Sequence, residues 1–177
     1  MTQKIKNSLE IATSVAVILV AIVVLTTFVR GYFNQNPQPQ IQTGLQRGQQ
    51  LTNLTSVISH SNDNQTILLV AMTTTCHFCE ESIPFYNQLA ETFQKTSGSP
   101  AFLAVFPNPE DQVRTYAARQ QLKMPTLAAV DFNSLKVNGT PTMIWLDHTG
   151  KILDFWVGKP SKTDEQQILK TLGLISG

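Results

Sequence analysis

From Ile11 to Val29 the chain reads IATSVAVILVAIVVLTTFV, an apolar stretch on every helical face with no charge in it. Nineteen residues of helix rise roughly 28 Å, close to the thickness of a bilayer core. Beyond this run the hydrophobic pattern becomes short and punctuated. TILLVAM, residues 66–72, and AFLAVF, residues 101–106, are compact apolar runs of the kind expected for strands buried on both faces. Between them Ile83, Tyr86, Leu89, Ala90 and Phe93 fall on one stripe at helical spacing. Asn108-Pro109-Glu110-Asp111 predicts a helix start, with Asn as cap, Pro at the first position and acids in the first turn, reaching about Gln121. Leu127 to Val130 predicts a further short strand. TMIWLD and KILDFWV, residues 142–147 and 151–157, flank His148-Thr149-Gly150 and predict a hairpin. Ser161 with Asp164 three residues on begins a last helix that stops at Gly173. The order βαβα, then β-hairpin, then α predicts an α/β domain with a mixed central sheet and helices on both faces.

Charge changes the picture at the N-terminus. Lys4 and Lys6 precede the apolar run, Arg30 follows it, and no further Lys or Arg occurs until Arg47. The positive-inside rule then places residues 1–10 in the cytoplasm as a short tail, 11–29 across the membrane, and the rest outside. The run ends in TTFVRGYF, which offers no small-x-small cleavage site, so an uncleaved anchor is expected in preference to a cleaved signal peptide. NQNPQPQ, residues 34–40, sets two prolines among Gln and Asn and predicts an extended linker over 30–43. Residues 44–177 remain for one globular domain, long enough to bury a core without disulfide staples. Thirteen basic against twelve acidic residues give no basic footprint, so nucleic acid is not an expected partner.

The candidate chemistry lies in TTTCHFCEESIPFY, residues 73–86, which holds both cysteines of the chain. Cys76 and Cys79 follow a predicted strand and open a predicted helix. There the free N–H groups and the positive dipole end favour a thiolate on Cys76, and His77, when protonated, pushes the same way. Cys79, one turn in, is within disulfide reach and more buried. The arrangement suits an attacking thiol and a resolving partner. A structural disulfide closing so small a loop would stabilise little. A zinc site needs about four ligands, whereas only three His accompany the two Cys, with His60 and His148 distant in sequence. A copper site from both thiolates and one His stays open. A second signal is Gly139-Thr140-Pro141-Thr142, immediately before a predicted strand. Proline in a sheet is confined to edges, strand starts and bulges. Together with the upstream C-x-x-C, Thr140-Pro141 reads as a cis-proline loop facing the cysteines. Trp145 and Trp156 are expected to pack between adjacent strands, His148 to be solvated in its turn, and Pro84 to kink the helix after the cysteines.

On these residues the chain resembles the thioredoxin superfamily, and within it the membrane-anchored TlpA/ResA-like thiol–disulfide oxidoreductases. The resemblance covers about residues 44–172. Its carriers are ILLVAMTTTCHFCEESIPF, LKVNGTPTMIWLDHTGKI and Val157-Gly158. In the family the second stretch reads like V-x-G-x-P-T, an apolar strand, D-x-x-G and Lys. The chain departs from the pattern at three places. Thr75 stands where the family has Trp, Val70 stands where thioredoxin has a buried Asp, and Ser82 replaces the Glu of C-x-x-C-x-x-E-x-P, which keeps its proline as Pro84. Glu80 and Glu81 lie close by in sequence. Relative to the P-x-x-x-T-x-x-C run of peroxiredoxins, Thr73 and Cys76 fit, but Leu69 occupies the proline position.

The resemblance implies a thioredoxin-like fold and a thiol–disulfide oxidoreductase without cofactor or metal. Cys76 and Cys79 would be catalytic, with Thr75, His77, Phe78, Thr140 and Pro141 modulating them. The partners implied are protein thiols and disulfides and a membrane or extracytoplasmic redox partner. The expected location is the periplasm or the outer side of the cell membrane, anchored through 11–29. The alternatives are a copper-carrying thioredoxin-like protein and a peroxiredoxin-like antioxidant.

Overall fold

The computed structural model describes residues 44–52, 54 and 64–175, together with 18, 20 and 23–26 of the apolar run. The chain divides into two units, Met1–Gln40 and Ile41–Gly177. In the first, the described residues are helical, and Ile18, Val20, Val23, Val24 and Leu25 are exposed. Among the described residues no helix is long and apolar enough to cross a membrane. The 1–10 tail, most of the 11–29 anchor, the 30–43 linker and His60 lie outside the described residues.

The second unit is built on a five-stranded sheet. Its strands are β1 (Ile67–Ala71), β2 (Ala101–Val105), β3 (Thr126–Leu127), β4 (Thr142–Leu146) and β5 (Ile152–Val157). They lie in the order β3-β2-β1-β4-β5. β1 pairs in parallel with β2, and β2 with β3, whereas β1–β4 and β4–β5 are antiparallel. Parallel neighbours need a crossover. α1 (His77–Lys95) supplies it between β1 and β2, and α2 (Glu110–Gln120) between β2 and β3. β1 is the central strand and is buried at all of its positions, which is why its sequence is apolar without alternation. β4 and β5 form the expected hairpin. Its turn is closed by Asp147, whose Oδ1 accepts from the N–H groups of Thr149 and Lys151. Gly150 in that turn has φ +87°, and a Cβ there would lie 2.7 Å from Leu54 Cδ1, so both conformation and space require glycine. His148 is exposed, while Trp145 and Trp156 pack against the core.

Two hydrophobic layers sandwich the sheet. On one face Leu68, Val70, Met72, Phe102, Ala104 and Met143 meet the stripe of α1, Val113 and Tyr116 of α2, and Ile168 of α3 (Lys162–Thr171). Every residue of the predicted α1 stripe is buried. α3 begins at Ser161 with the expected capping box to Asp164. The other face, with Ile67, Leu69, Leu103, Val105, Ile144 and Leu146, is covered by Leu45, Leu51 and Leu54 and by Leu135 and Val137. Helices on both faces were expected; among the described residues all three helices of this unit bury their side chains on one face. On the far face Leu135 and Val137 come from a turn in which Asn133 O and Phe132 O accept the N–H groups of Lys136 and Val137, and residues 53 and 55–63, next to Leu51 and Leu54, lie outside the described residues, so the expected helix on that face is not tested.

Two local expectations need correction. Asn108 does not cap α2, because the N-cap is Pro109 and no side chain caps the helix. A residue before proline is driven to extended backbone, and the prolyl ring already suits the entry to a helix. The strand expected over Leu127–Val130 is Thr126–Leu127, since its register is set by pairing with Ala104 and Val105, and Ala129 at φ +53° ends it. Pro84 lies on the exposed side of α1, inside the helix that was expected to carry it.

Candidate active site

The strand-to-helix turn after β1 carries the cysteines. Met72 N–H donates to Val105 O (2.9 Å) and prolongs the sheet by one residue, and Cys76 N–H donates to Thr73 O (3.2 Å) to close the turn. Cys76 is the N-cap of α1, with extended backbone, and its sulfur accepts from Cys79 N–H at 3.1 Å. An N–H group of the first helical turn, which also reaches Cys76 O at 3.1 Å, is therefore aimed at the sulfur. On reduction the same N–H and the helix dipole favour the thiolate. Cys76 and Cys79 are joined as a disulfide with Cα atoms 5.2 Å apart. Cys76 is half-buried, whereas Cys79 is fully enclosed in the apolar layer beneath α1. The two sulfurs therefore differ in access, one at the surface and one below it.

The second predicted element meets the first. Thr140–Pro141 is a cis peptide, and the Thr140 carbonyl oxygen lies 3.4 Å from Cys76 Sγ. Pro141 is buried, Gly158 N–H donates to its carbonyl (2.7 Å), and Thr142 Oγ1 donates to Gly139 O (2.7 Å). The loop is thus fixed to β5 on one side and to its own turn on the other. Around the pair, Thr75, His77 and Phe78 are exposed, Phe78 at 57%.

The charged residues form two clusters. Glu80 accepts from Arg119 Nη2 (3.3 Å) and Gln120 Nε2 (3.1 Å) and ties α1 to the end of α2. Glu81 lies between His77 Nε2 (3.3 Å) and Lys159 Nζ (2.9 Å). The hydrogen bond from Lys159 holds the Glu81 carboxyl below its usual range. Ser82, at the family's Glu position, is buried and its hydroxyl donates to Phe78 O (2.7 Å). Val70, at the position of thioredoxin's Asp, is fully buried in the layer that encloses Cys79. No cluster of three or more His, Cys, Asp and Glu that could hold a metal occurs among the described residues. His77 Nε2 lies 3.3 Å from Glu81 Oε1.

Sequence reading missed three residues at the site: Asn108, whose Oδ1 accepts from Thr74 N–H (3.2 Å), Arg119 on Glu80 and Lys159 on Glu81. The latter two come from distant elements with no periodic signature, and Asn108 was hidden by its resemblance to a helix cap.

Tyr116 packs edge-on against Phe106 (5.7 Å) with the Arg119 guanidinium over its ring. Its hydroxyl is buried without a hydrogen-bond partner. Burial, reinforced by the charge of Glu80, pushes its pKa from 10.0 up to about 12. A group whose folded pKa stands above its unfolded one contributes stability that is intact below pH 10 and is lost as pH rises toward about 12. Tyr116→Phe is expected to fold with stability equal to the parent or higher by up to about 1 kcal/mol at neutral pH, since it removes an unsatisfied buried hydroxyl. It should also lose stability less steeply above pH 10. Urea melts across the alkaline range check both effects.

No family model and no curated protein sequence matches the chain. Solved structures do. A Chlorobium tepidum protein described as a candidate thiol:disulfide interchange protein DsbE superposes with a TM-score of 0.53 at 24% identity, over 62% of this chain and 82% of that one. StoA from Bacillus subtilis gives 0.52 at 16% identity, over 62% and 83%. A secreted Mycobacterium tuberculosis disulfide oxidoreductase homologous to E. coli DsbE gives 0.50 at 14% identity, over 63% and 82%. At these identities the likeness establishes the fold: the second unit is thioredoxin-like, with Cys76 of the C-x-x-C pair capping α1 and the cis-proline loop against that cysteine.

Proposed function

We propose that the chain is a membrane-tethered thiol–disulfide oxidoreductase acting on protein partners outside the cytoplasm. The observation that carries the chemistry is the unequal setting of the two sulfurs. Cys76 caps α1 at the surface within 3.4 Å of Thr140 O, and Cys79 is enclosed directly behind it. In the reducing direction the Cys76 thiolate attacks a partner disulfide. The partner's S–S bond breaks, its leaving thiolate takes up a proton, and a Cys76–partner disulfide forms. Cys79, deprotonated, then attacks Cys76 sulfur, the mixed disulfide breaks, and the second partner thiol leaves. The protein is oxidised by two electrons and the partner reduced by two. The same steps run backwards when the protein starts as the disulfide. A second thiol or disulfide partner restores the starting state. Thr75, Phe78 and Thr140 form the contact surface, with Pro141 buried behind Thr140, and His77 adds positive charge beside the attacking sulfur when protonated.

The fold shared with oxidoreductases supports this reading. Insulin reduction by the full chain, set beside copper(I) titration of the reduced protein, tests it. Turnover dependent on both cysteines is expected. Tight stoichiometric copper binding without turnover would move the protein to the metal-carrier class. The placement outside the cytoplasm rests on Lys4, Lys6 and the uncharged run from Ile11 to Val29. A membrane-impermeant thiol reagent should label reduced Cys76 in intact cells, and labelling only after lysis would refute that placement.

A further inference from the structure

Asn108 occupies the position of a helix cap and does not serve as one: α2 is capped by Pro109 without any side-chain hydrogen bond. Its side chain crosses to the loop that leads into Cys76. Oδ1 accepts from Thr74 N–H at 3.2 Å, and Nδ2 donates to Gln112 Oε1 at 3.3 Å. Because a backbone N–H can only donate, the atom that faces Thr74 is the acceptor Oδ1. The backbone of Asn108 is held as well, since its carbonyl accepts from Ala129 N–H (3.0 Å). Phe106, two residues earlier, exchanges bonds with the same connection, donating to Leu127 O (2.8 Å) and accepting from Val130 N–H (2.9 Å).

The loop has three successive points of attachment at alternate residues. Met72 N–H goes to the sheet, Thr74 N–H to Asn108, and Cys76 N–H to Thr73 O. The first anchors the loop to β2 and the third lies within the loop itself. The middle one is the attachment that ties the segment next to Cys76 to the rest of the fold through a side chain. We propose that Asn108 is a positioning residue for thiol–disulfide exchange, holding the Thr73–Thr75 loop so that Cys76 sulfur faces the N–H groups of α1 and the Thr140 carbonyl. This rests on the exchange chemistry proposed above and adds a residue to it from an element that carries neither cysteine. Asn108 touches no reacting atom and acts through Thr74. With the acceptor gone, the half-buried Thr74 N–H must turn toward water, and the loop gains freedom at the residue two before the nucleophile.

The test uses the reduced full chain and its Asn108→Ala and Asn108→Asp variants. Three quantities are read: hydrogen exchange at the Thr74 amide, the pH profile of Cys76 alkylation by iodoacetamide, and kcat and KM for insulin reduction. Asn108→Ala removes the acceptor. It should abolish protection at Thr74 and lower both the alkylation rate at neutral pH and kcat/KM by up to about tenfold, the effect of one lost hydrogen bond. The loss should fall in kcat more than in KM. Asn108→Asp keeps the acceptor and adds a negative charge. It should retain protection at Thr74 and move the alkylation profile to higher pH, because a nearby carboxylate opposes the thiolate. A residue that only stabilised the fold would lower the melting temperature in Asn108→Ala and leave the profile and the rate per folded molecule unchanged, and that result overturns the proposal. If Asn108→Ala does not fold, Asn108→Asp decides alone: an unmoved profile overturns the proposal. Alkylation needs no exchange activity. A parent that fails to reduce insulin would therefore refute the proposed function, while the alkylation profiles would still decide the role of Asn108.

Discussion

Cys79→Ser is expected to convert the protein into a trap that accumulates covalent adducts with its partners. Cys76 keeps its place as N-cap of α1, half-exposed and facing Thr140 O, and so still attacks. Cys79 is fully buried one turn behind it, and no other cysteine exists in the chain to take over its role. The mixed disulfide therefore persists, and turnover falls by at least about a thousandfold, as when one member of a catalytic unit is removed. Cys76→Ser should be equally inactive and yet form no adducts, because the remaining thiol lies inside the apolar layer of Leu68, Val70 and Met72. Burial in such surroundings also disfavours its thiolate. Non-reducing electrophoresis of membranes carrying each variant distinguishes them: bands of higher mass that collapse with dithiothreitol in Cys79→Ser alone. Adducts in Cys76→Ser and none in Cys79→Ser would reverse the two roles.

The largest expected loss of stability near the site belongs to Phe106→Ala. Phe106 follows β2, is fully buried and packs edge-on against Tyr116 of α2. Its backbone joins the β3 connection at Leu127 and Val130, and Asn108 stands two residues on. Truncating a buried phenylalanine costs about 3–5 kcal/mol through lost transfer energy and the cavity left behind. The cavity would open below the loop that carries Cys76, between β2 and α2. Urea denaturation should show the midpoint falling with little change in slope. A loss below about 1 kcal/mol would mean that neighbouring side chains collapse into the space, and that this part of the core does not support the site.

The elements that formed as expected are those whose pattern states one environment. β1 is apolar at every position because it lies at the centre of the sheet with a layer on each face. The α1 stripe is regular because one helix face meets one sheet face. The capping box at Ser161 is local and needs no tertiary partner. The C-x-x-C pair and the proline before β4 were legible as chemistry, and the fold brings them together across 64 residues of sequence. What was not legible depends on partners remote in the chain. Leu45, Leu51, Leu135 and Val137 cover the far face from turns, where no period of 2 or 3.6 marks a buried side. Asn108 looked like a cap because a cap and a loop strut use the same short amide; only the fold shows that its acceptor meets Thr74. Arg119 and Lys159 read as ordinary surface charges until α2 and the segment after β5 bring them to Glu80 and Glu81.

The reduction potential of the Cys76–Cys79 pair tests the central claim most directly. The full chain is equilibrated in redox buffers of graded potential, and the state of the pair is read by alkylation and mass. An exchange couple should titrate as one reversible two-electron transition between about −270 and −120 mV, the span from thioredoxin to DsbA. The position within that span tells whether the protein reduces or oxidises its partners. A pair that stays oxidised until below about −300 mV would be a structural disulfide and would contradict the account.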